Sequence, residues 1–242
     1  MIMLLITILG AIIGLFLNIY IYCIFNNKFI LCSQFKLRSF IPIFRYIFLE
    51  RRCKHNKNKI FIQVLLVESL NGLLYLFIYL KFGLNIISII YMILFSILII
   101  ISFVDYNCQI IPDEIIIFGI ILVSIIHILH KFPISLFNGL IGVLIGGGLF
   151  LIIAIISKGG MGGGDIKLIA LLGYLLGIRI LMVIFLSFIL GAIISIVLLV
   201  GKVKSRKDFI SFGPFIAIAG VLVILFSEKL LEIYFHYILK VY

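Results

Sequence analysis

Long apolar runs follow one another along the chain, separated by short polar segments, and the runs are continuous rather than alternating. Eight stand out, over residues 2–25, 61–80, 84–104, 114–130, 134–156, 166–178, 180–200 and 213–238. Most are close to the roughly 20 residues that carry an α-helix across a bilayer. Lipid offers no partner to an exposed peptide group, so a spanning segment must satisfy its backbone internally, as a helix or within a closed barrel. Continuous runs of this length predict helices. The fold expected is all-α, a polytopic transmembrane bundle of about eight membrane-spanning helices. The sixth run is short for a full crossing and is expected to be tilted or partly re-entrant.

The polar segments orient these runs. Residues 26–60 carry Lys28, Lys36, Arg38, Arg45, Arg51, Arg52, Lys54, Lys57 and Lys59 against a single acid, Glu50. A second basic segment holds Lys202, Lys204, Arg206 and Lys207. Basic loops stay on the cytoplasmic side, and the number of runs between these two agrees with that placement. The same parity puts 105–113 and 157–165 at the cytoplasmic face. Residues 1–25 lack a basic leading region and an A-x-A-like cleavage site, so they are expected to persist as a first helix. The organisation expected is that helix, a basic cytoplasmic loop over 26–60, and a transmembrane core over 61–242.

Composition excludes the soluble alternative. The chain is 65% hydrophobic and 12% charged, with mean hydropathy +1.41. Soluble domains run at roughly 45–50% apolar and about 25% charged. The formal net charge of +11 falls between helices. It suits anionic lipid headgroups rather than nucleic acid, which is not expected as a partner. The setting expected is the cytoplasmic (inner) membrane. Cys32 and Cys53 lie in the basic loop, where metal binding is a better question than disulfide formation.

Against this apolar background, acids carry information. The chain has only nine Asp and Glu residues, and two aspartates sit at the mouths of apolar runs. Asp105 closes the run ending Ser102-Phe103-Val104, and a carboxylate at a helix C-terminus opposes the helix dipole. The structural alternative is an interfacial aspartate held by a nearby amide. Asp165 follows Gly159-Gly160-Met161-Gly162-Gly163-Gly164, five glycines in six residues. Such backbone is mobile, and within a membrane protein it belongs where it lines a cavity or is buried. Glycine also lets an extended peptide approach closely. The structural alternative is a flexible loop with Asp165 as N-cap of the sixth helix.

Together the two aspartates suggest an intramembrane aspartyl protease. Paired carboxylates that share a proton split their apparent pKa values, leaving one base and one acid. The base activates water and the acid protonates the departing group, with no metal required. The pair titrates as a unit, so neither role belongs to one residue. Asp113 and Glu114 fall after Pro112 at a helix start, where the dipole favours negative charge. Glu68, inside the second run, is either a satisfied buried acid or part of a polar site. His127, His130 and His236 read as interfacial residues.

These residues fit a known pattern. The chain resembles the type IV prepilin peptidases, leader peptidases with an associated N-methyltransferase activity, over nearly its whole length. Gly14-Leu15-Phe16-Leu17-Asn18 is similar to the family's G-S-F-L-N, with leucine in place of serine. Val67-Glu68-Ser69-Leu70-Asn71-Gly72-Leu73-Leu74-Tyr75 resembles V-E-L-x-x-G-L-L-Y. Asp105 through Pro112-Asp113 fits D-x6-P-D, and Gly160 through Leu168 fits G-M-G-x-G-D-x-K-L. Phe212-Gly213-Pro214-Phe215 fits F-G-P-F.

The resemblance implies catalytic aspartates at Asp105 and Asp165, supported by Gly162, Gly163, Gly164, Lys167, Asp113 and Glu68. It implies precursors of type IV pilins or pseudopilins as substrates, cut at the cytoplasmic face after a leader-terminal glycine for pilus assembly or protein secretion. The new N-terminus is then methylated with S-adenosylmethionine as donor. Family members with both activities carry two C-x-x-C pairs in the first loop. Here the segments read Cys32-Ser33-Gln34-Phe35 and Cys53-Lys54-His55-Asn56. Cys32, Cys53 and His55 fall short of the four ligands of a structural zinc site. Zinc is therefore not expected, the peptidase needs no cofactor, and methyl transfer is left open. The competing readings are a proton-coupled transporter and a non-catalytic pilus or secretion assembly protein.

Overall fold

The computed structural model describes residues 1–25, 57–128, 134–202 and 209–233. These residues form α1 (Ile2–Phe25), α2 (Lys57–Phe82), α3 (Ile86–Cys108), α4 (Asp113–Ile128), α5 (Leu136–Ile156), α6 (Gly163–Leu176), α7 (Ile180–Val200) and α8 (Gly213–Ile233). A three-residue 3-10 turn, Gly177–Arg179, joins α6 to α7. Every predicted apolar run thus has its helix, and no strand occurs among the described residues. Among the described residues, five stretches are long and apolar enough to cross a membrane: Ile2–Ile24, Ile62–Phe82, Ile86–Cys108, Leu136–Ile156 and Gly163–Val200. The chain is a multi-pass helical membrane protein.

The sixth run begins earlier than its apolar pattern suggests, because Gly163 and Gly164 are already helical. Even so, α6 has 14 residues. At about 1.5 Å per residue that is some 21 Å, short of a hydrocarbon core of about 30 Å. It ends where Gly177 takes a positive φ of 58°. A side chain there would also meet the Asn138 side chain, 2.9 Å from the Cβ position.

The chain divides into two compact units, Met1–Asn107 and Cys108–Tyr242. In the first, α1 and α2 approach through glycine. A Cβ on Gly10 would stand 3.0 Å from the Gly72 Cα, and one on Gly14 only 2.8 Å from the Glu68 Cα. Small residues permit this contact, which replaces the hydrophobic drive that lipid removes. Polar side chains then fasten the helices together. Asn71 Nδ2 donates to the Gly10 carbonyl at 2.7 Å, and Ser96 Oγ donates to Asn71 Oδ1 at 3.0 Å. The Tyr75 hydroxyl lies 3.0 Å from Ser96 Oγ, so one buried network ties α1, α2 and α3. Asn71→Leu is expected to cost about 1 kcal/mol, since interhelical hydrogen bonds in membranes are modest but Ser96 and Gly10 would lose a partner. A lowered thermal midpoint with unchanged membrane insertion would register it.

In the second unit, a glycine stripe on α5 receives α6. A Cβ on Gly142 would collide with the Gly173 carbonyl oxygen, and one on Gly139 would stand 2.7 Å from the Tyr174 oxygen. Gly146 faces Ile169 and Ile180. Ser135 caps α5 by accepting from the Asn138 amide, and Asn138 Oδ1 accepts from the Ile178 amide at 3.3 Å, pinning the 3-10 turn. The Phe212-Gly213-Pro214-Phe215 motif opens α8. Its Phe212 ring packs between Phe150 of α5 and Phe188 of α7, with centroids 6.1 and 5.4 Å away.

Candidate active site

Asp105 lies inside the last turn of α3 rather than in the loop after it, because the helix continues to Cys108. It is 6% exposed. The Asn107 amide, the nearest in sequence, donates to the Phe103 carbonyl instead. A buried carboxylate at a helix C-terminus faces both desolvation and an unfavourable dipole. Gln109 then turns the chain with φ 56°, and Pro112 leads into α4.

Asp165 stands in the first turn of α6 and is 8% exposed. It is not the N-cap. Gly162 holds that position, in extended backbone with no side-chain cap, and the Asp165 amide donates to the Gly162 carbonyl at 3.1 Å. The Asp165 carboxylate folds back over this glycine, with Oδ2 3.2 Å from where a Cβ on Gly162 would stand. Any larger residue at 162 would crowd the carboxylate. Gly163 has open space around it. Gly164 is needed for another reason: its Cβ position lies 2.8 Å from the Ile111 Cβ, so the start of α6 rests directly on the segment before α4.

That same junction carries an ion pair. Lys167 Nζ donates to both Asp113 carboxylate oxygens, at 2.7 and 2.8 Å. Both side chains are more than half exposed, so the pair adds little stability. Its geometric effect is larger. With the Gly164–Ile111 contact, it fastens the Pro112-Asp113 segment to the helix that bears Asp165. The sequence reading of Asp113 as a plain dipole-favoured residue is thus incomplete, while Glu114 is exposed in the same first turn. Asp105 belongs to the first unit and Asp165 to the second.

Glu68 is half-buried on α2. Its Oε1 is sealed from solvent and has no hydrogen-bond partner, so it is not the satisfied acid of the simpler reading. One turn along α1, Asn18 Nδ2 donates to the carbonyls of Gly14 and Val64, both at 3.2 Å. Asn18, Asn71 and Ser96 were not singled out from sequence as functional residues. Their signal was present as amide and hydroxyl side chains within apolar runs. His127, in the last turn of α4, is buried with its Nε2 3.2 Å from the Tyr174 carbonyl and its ring tilted against that tyrosine at 4.9 Å. His130 and His236 lie outside the described residues.

Cys32, Cys53 and His55 also lie outside the described residues, with the whole of 26–56. Among the described residues no three His, Cys, Asp or Glu side chains gather to hold a metal. Two cysteines and one histidine are one donor short of the four that structural zinc takes. Cys108, at the end of α3, is a free thiol.

Comparison with known proteins converges on one family. The Type IV leader peptidase family model matches residues 92–196, and that of the bacterial peptidase A24 N-terminal domain matches residues 8–82. A prepilin leader peptidase/N-methyltransferase of Bacillus subtilis (strain 168) is 29% identical over 80% of this chain and 78% of its own length. One from Pseudomonas putida is 27% identical over 93% of this chain and 90% of its own. Another from Legionella pneumophila is 31% identical over 81% of this chain and 70% of its own. No solved structure matches significantly. The two matched regions contain the Gly14–Asn18 and Val67–Tyr75 segments on one side and both aspartates on the other, and the chain belongs to the type IV leader peptidase family and is a peptidase.

Proposed function

We propose that this peptidase removes leader peptides from type IV prepilin or pseudopilin precursors, using Asp105 and Asp165 as a paired-carboxylate site at the cytoplasmic face of the cytoplasmic membrane. The observation that carries the proposal is the burial of two acids in a lipid-solvated chain, each in a terminal turn of its helix. Buried ionisable groups in membranes are costly and mark function. One carboxylate, ionised, takes a proton from water as the oxygen attacks the scissile carbonyl. The other, protonated, gives its proton to the departing nitrogen. Gly163, with nothing within 4 Å of its Cβ position, leaves room for an extended peptide beside Asp165. The cytoplasmic placement rests on the basic segments at 26–60 and 202–207. The similarity to prepilin leader peptidase/N-methyltransferases supports the prepilin substrate.

Those names also include N-methyltransferase, so S-adenosylmethionine is the methyl donor this reading would require. The first loop that the resemblance associates with that activity is outside the described residues. Expression beside a prepilin-like protein, in cells without a peptidase of this class, tests the proposal. The precursor is expected to shorten by its leader; a full-length precursor beside membrane-inserted protein would overturn the proposal.

The Lys167–Asp113 pair acts here as a positioning device. Lys167→Met and Asp113→Asn are each expected to leave the thermal midpoint nearly unchanged, as an exposed pair contributes about 0–1 kcal/mol. Both should slow cleavage, and the double variant should be no slower than the worse single one. Additive rate losses would show that the two side chains act separately.

A further inference from the structure

Two acceptor oxygens on the α1–α2 pair are buried without a donor. Asn18 is 8% exposed, and its amide nitrogen is committed to the Gly14 and Val64 carbonyls. Those bonds fix which end of the amide is nitrogen and leave Oδ1 with no partner. On the facing helix, Glu68 Oε1 is equally bare. Gly14, one turn before Asn18 on α1, packs against Glu68: the Cβ it lacks would stand 2.8 Å from the Glu68 Cα, so the two helices meet backbone to backbone at that level. Buried acceptors are normally satisfied, and two on adjacent turns need a reason.

Their chemistry narrows the occupant. An amide oxygen and a carboxylate oxygen only accept while the acid is ionised, and they call for a donor with positive charge. Two oxygens are far fewer than the six or more of a hard divalent cation site. A primary ammonium, compact and with three donors, suits them. Their depth relates them to Asp105. Ser96 bonds side chains on either side of its level on α2, Asn71 and Tyr75. Moving from Ser96 along α3 to Asp105, and back along α2 by the same rise, arrives near Val64, whose carbonyl accepts from Asn18. The acceptors and Asp105 therefore lie within about one helical turn of one depth, about 5 Å.

We propose that Asn18 and Glu68 form a subsite for the α-ammonium group that leader removal creates. The inference rests on the leader-peptidase reading. Hydrolysis adds water across the peptide bond, leaving a carboxylate on the leader and an ammonium on the mature chain. The subsite holds that ammonium at the depth of the reaction.

Binding of a mature-type apolar peptide to the full chain in lipid nanodiscs tests this, using a fluorescent label at the peptide C-terminus. The free-amine peptide is expected to bind about tenfold more tightly than its N-acetylated form, as a charge-assisted hydrogen bond gives. Glu68→Gln, nearly isosteric, should bring that ratio close to one, and Asn18→Leu should reduce it. A general loss of folding would weaken both peptides alike and leave the ratio unmoved. Equal binding of the two forms by the wild type, or a full preference kept by Glu68→Gln, would overturn the subsite. Tight binding of an acetylated peptide carrying a lysine would overturn its assignment to the α-ammonium. If the wild type keeps the amine preference but cleaves no leader, the leader-peptidase reading fails and the subsite stands.

Discussion

Asp105→Asn and Asp165→Asn should each lower leader cleavage on the order of 10³-fold or more while leaving the protein inserted and folded. The magnitude follows from losing either member of an acid–base pair, since each proton-transfer role accounts for about 10²–10⁴ and neither can be filled by an amide. Stability should move the other way. Both carboxylates are buried, Asp105 against the dipole of α3, so a neutral isostere removes a desolvation cost. The thermal midpoint of each variant is therefore expected to equal or exceed that of the wild type. This combination separates catalysis from architecture: a structural aspartate would lose stability on neutralisation, and its loss of activity would follow from unfolding. A variant that still processes its substrate would remove that aspartate from the mechanism.

Gly142→Ala should be the most damaging conservative change in the second unit. The added methyl would drive into the Gly173 carbonyl and approach the Gly177 oxygen at 2.7 Å. All of these are backbone atoms, so no rotamer change relieves the clash. The helices must separate, disturbing both α6 and the turn pinned by Asn138. Overpacking of this kind costs about 1–3 kcal/mol, and backbone-to-backbone contact belongs at the upper end. Because α6 carries Asp165, cleavage should fall with stability. Gly148 provides the control on the same helix. Nothing lies within 4 Å of its Cβ position, so Gly148→Ala should leave the thermal midpoint unchanged or slightly raised. Equal tolerance at the two positions would contradict the close α5–α6 approach.

The helices were legible because lipid demands continuous apolar runs, and their order follows the runs one for one. Ends were less so. Asp105 and the paired glycines Gly163 and Gly164 fall inside helices, since a polar or flexible residue tolerates helical geometry when neighbouring turns and packing support it. For the same reason Asp165 is not the N-cap. The aspartates themselves stood out from sequence because acids are so scarce. The Lys167–Asp113 pair could not be read from spacing, since it joins residues far apart through the fold of α4 against α6. Nor could the role of Gly164, which matters only once Ile111 lies beneath it. The bare oxygen of Glu68 was equally hidden, because satisfaction depends on what a neighbouring helix presents.

The most direct measurement takes the purified chain in liposomes with a prepilin-type substrate and reads the products by mass spectrometry. The account predicts two fragments whose masses together equal the substrate plus one water, with the break at the end of the leader. An intact substrate beside folded protein, above all if the same liposomes show proton-driven solute uptake, would contradict it.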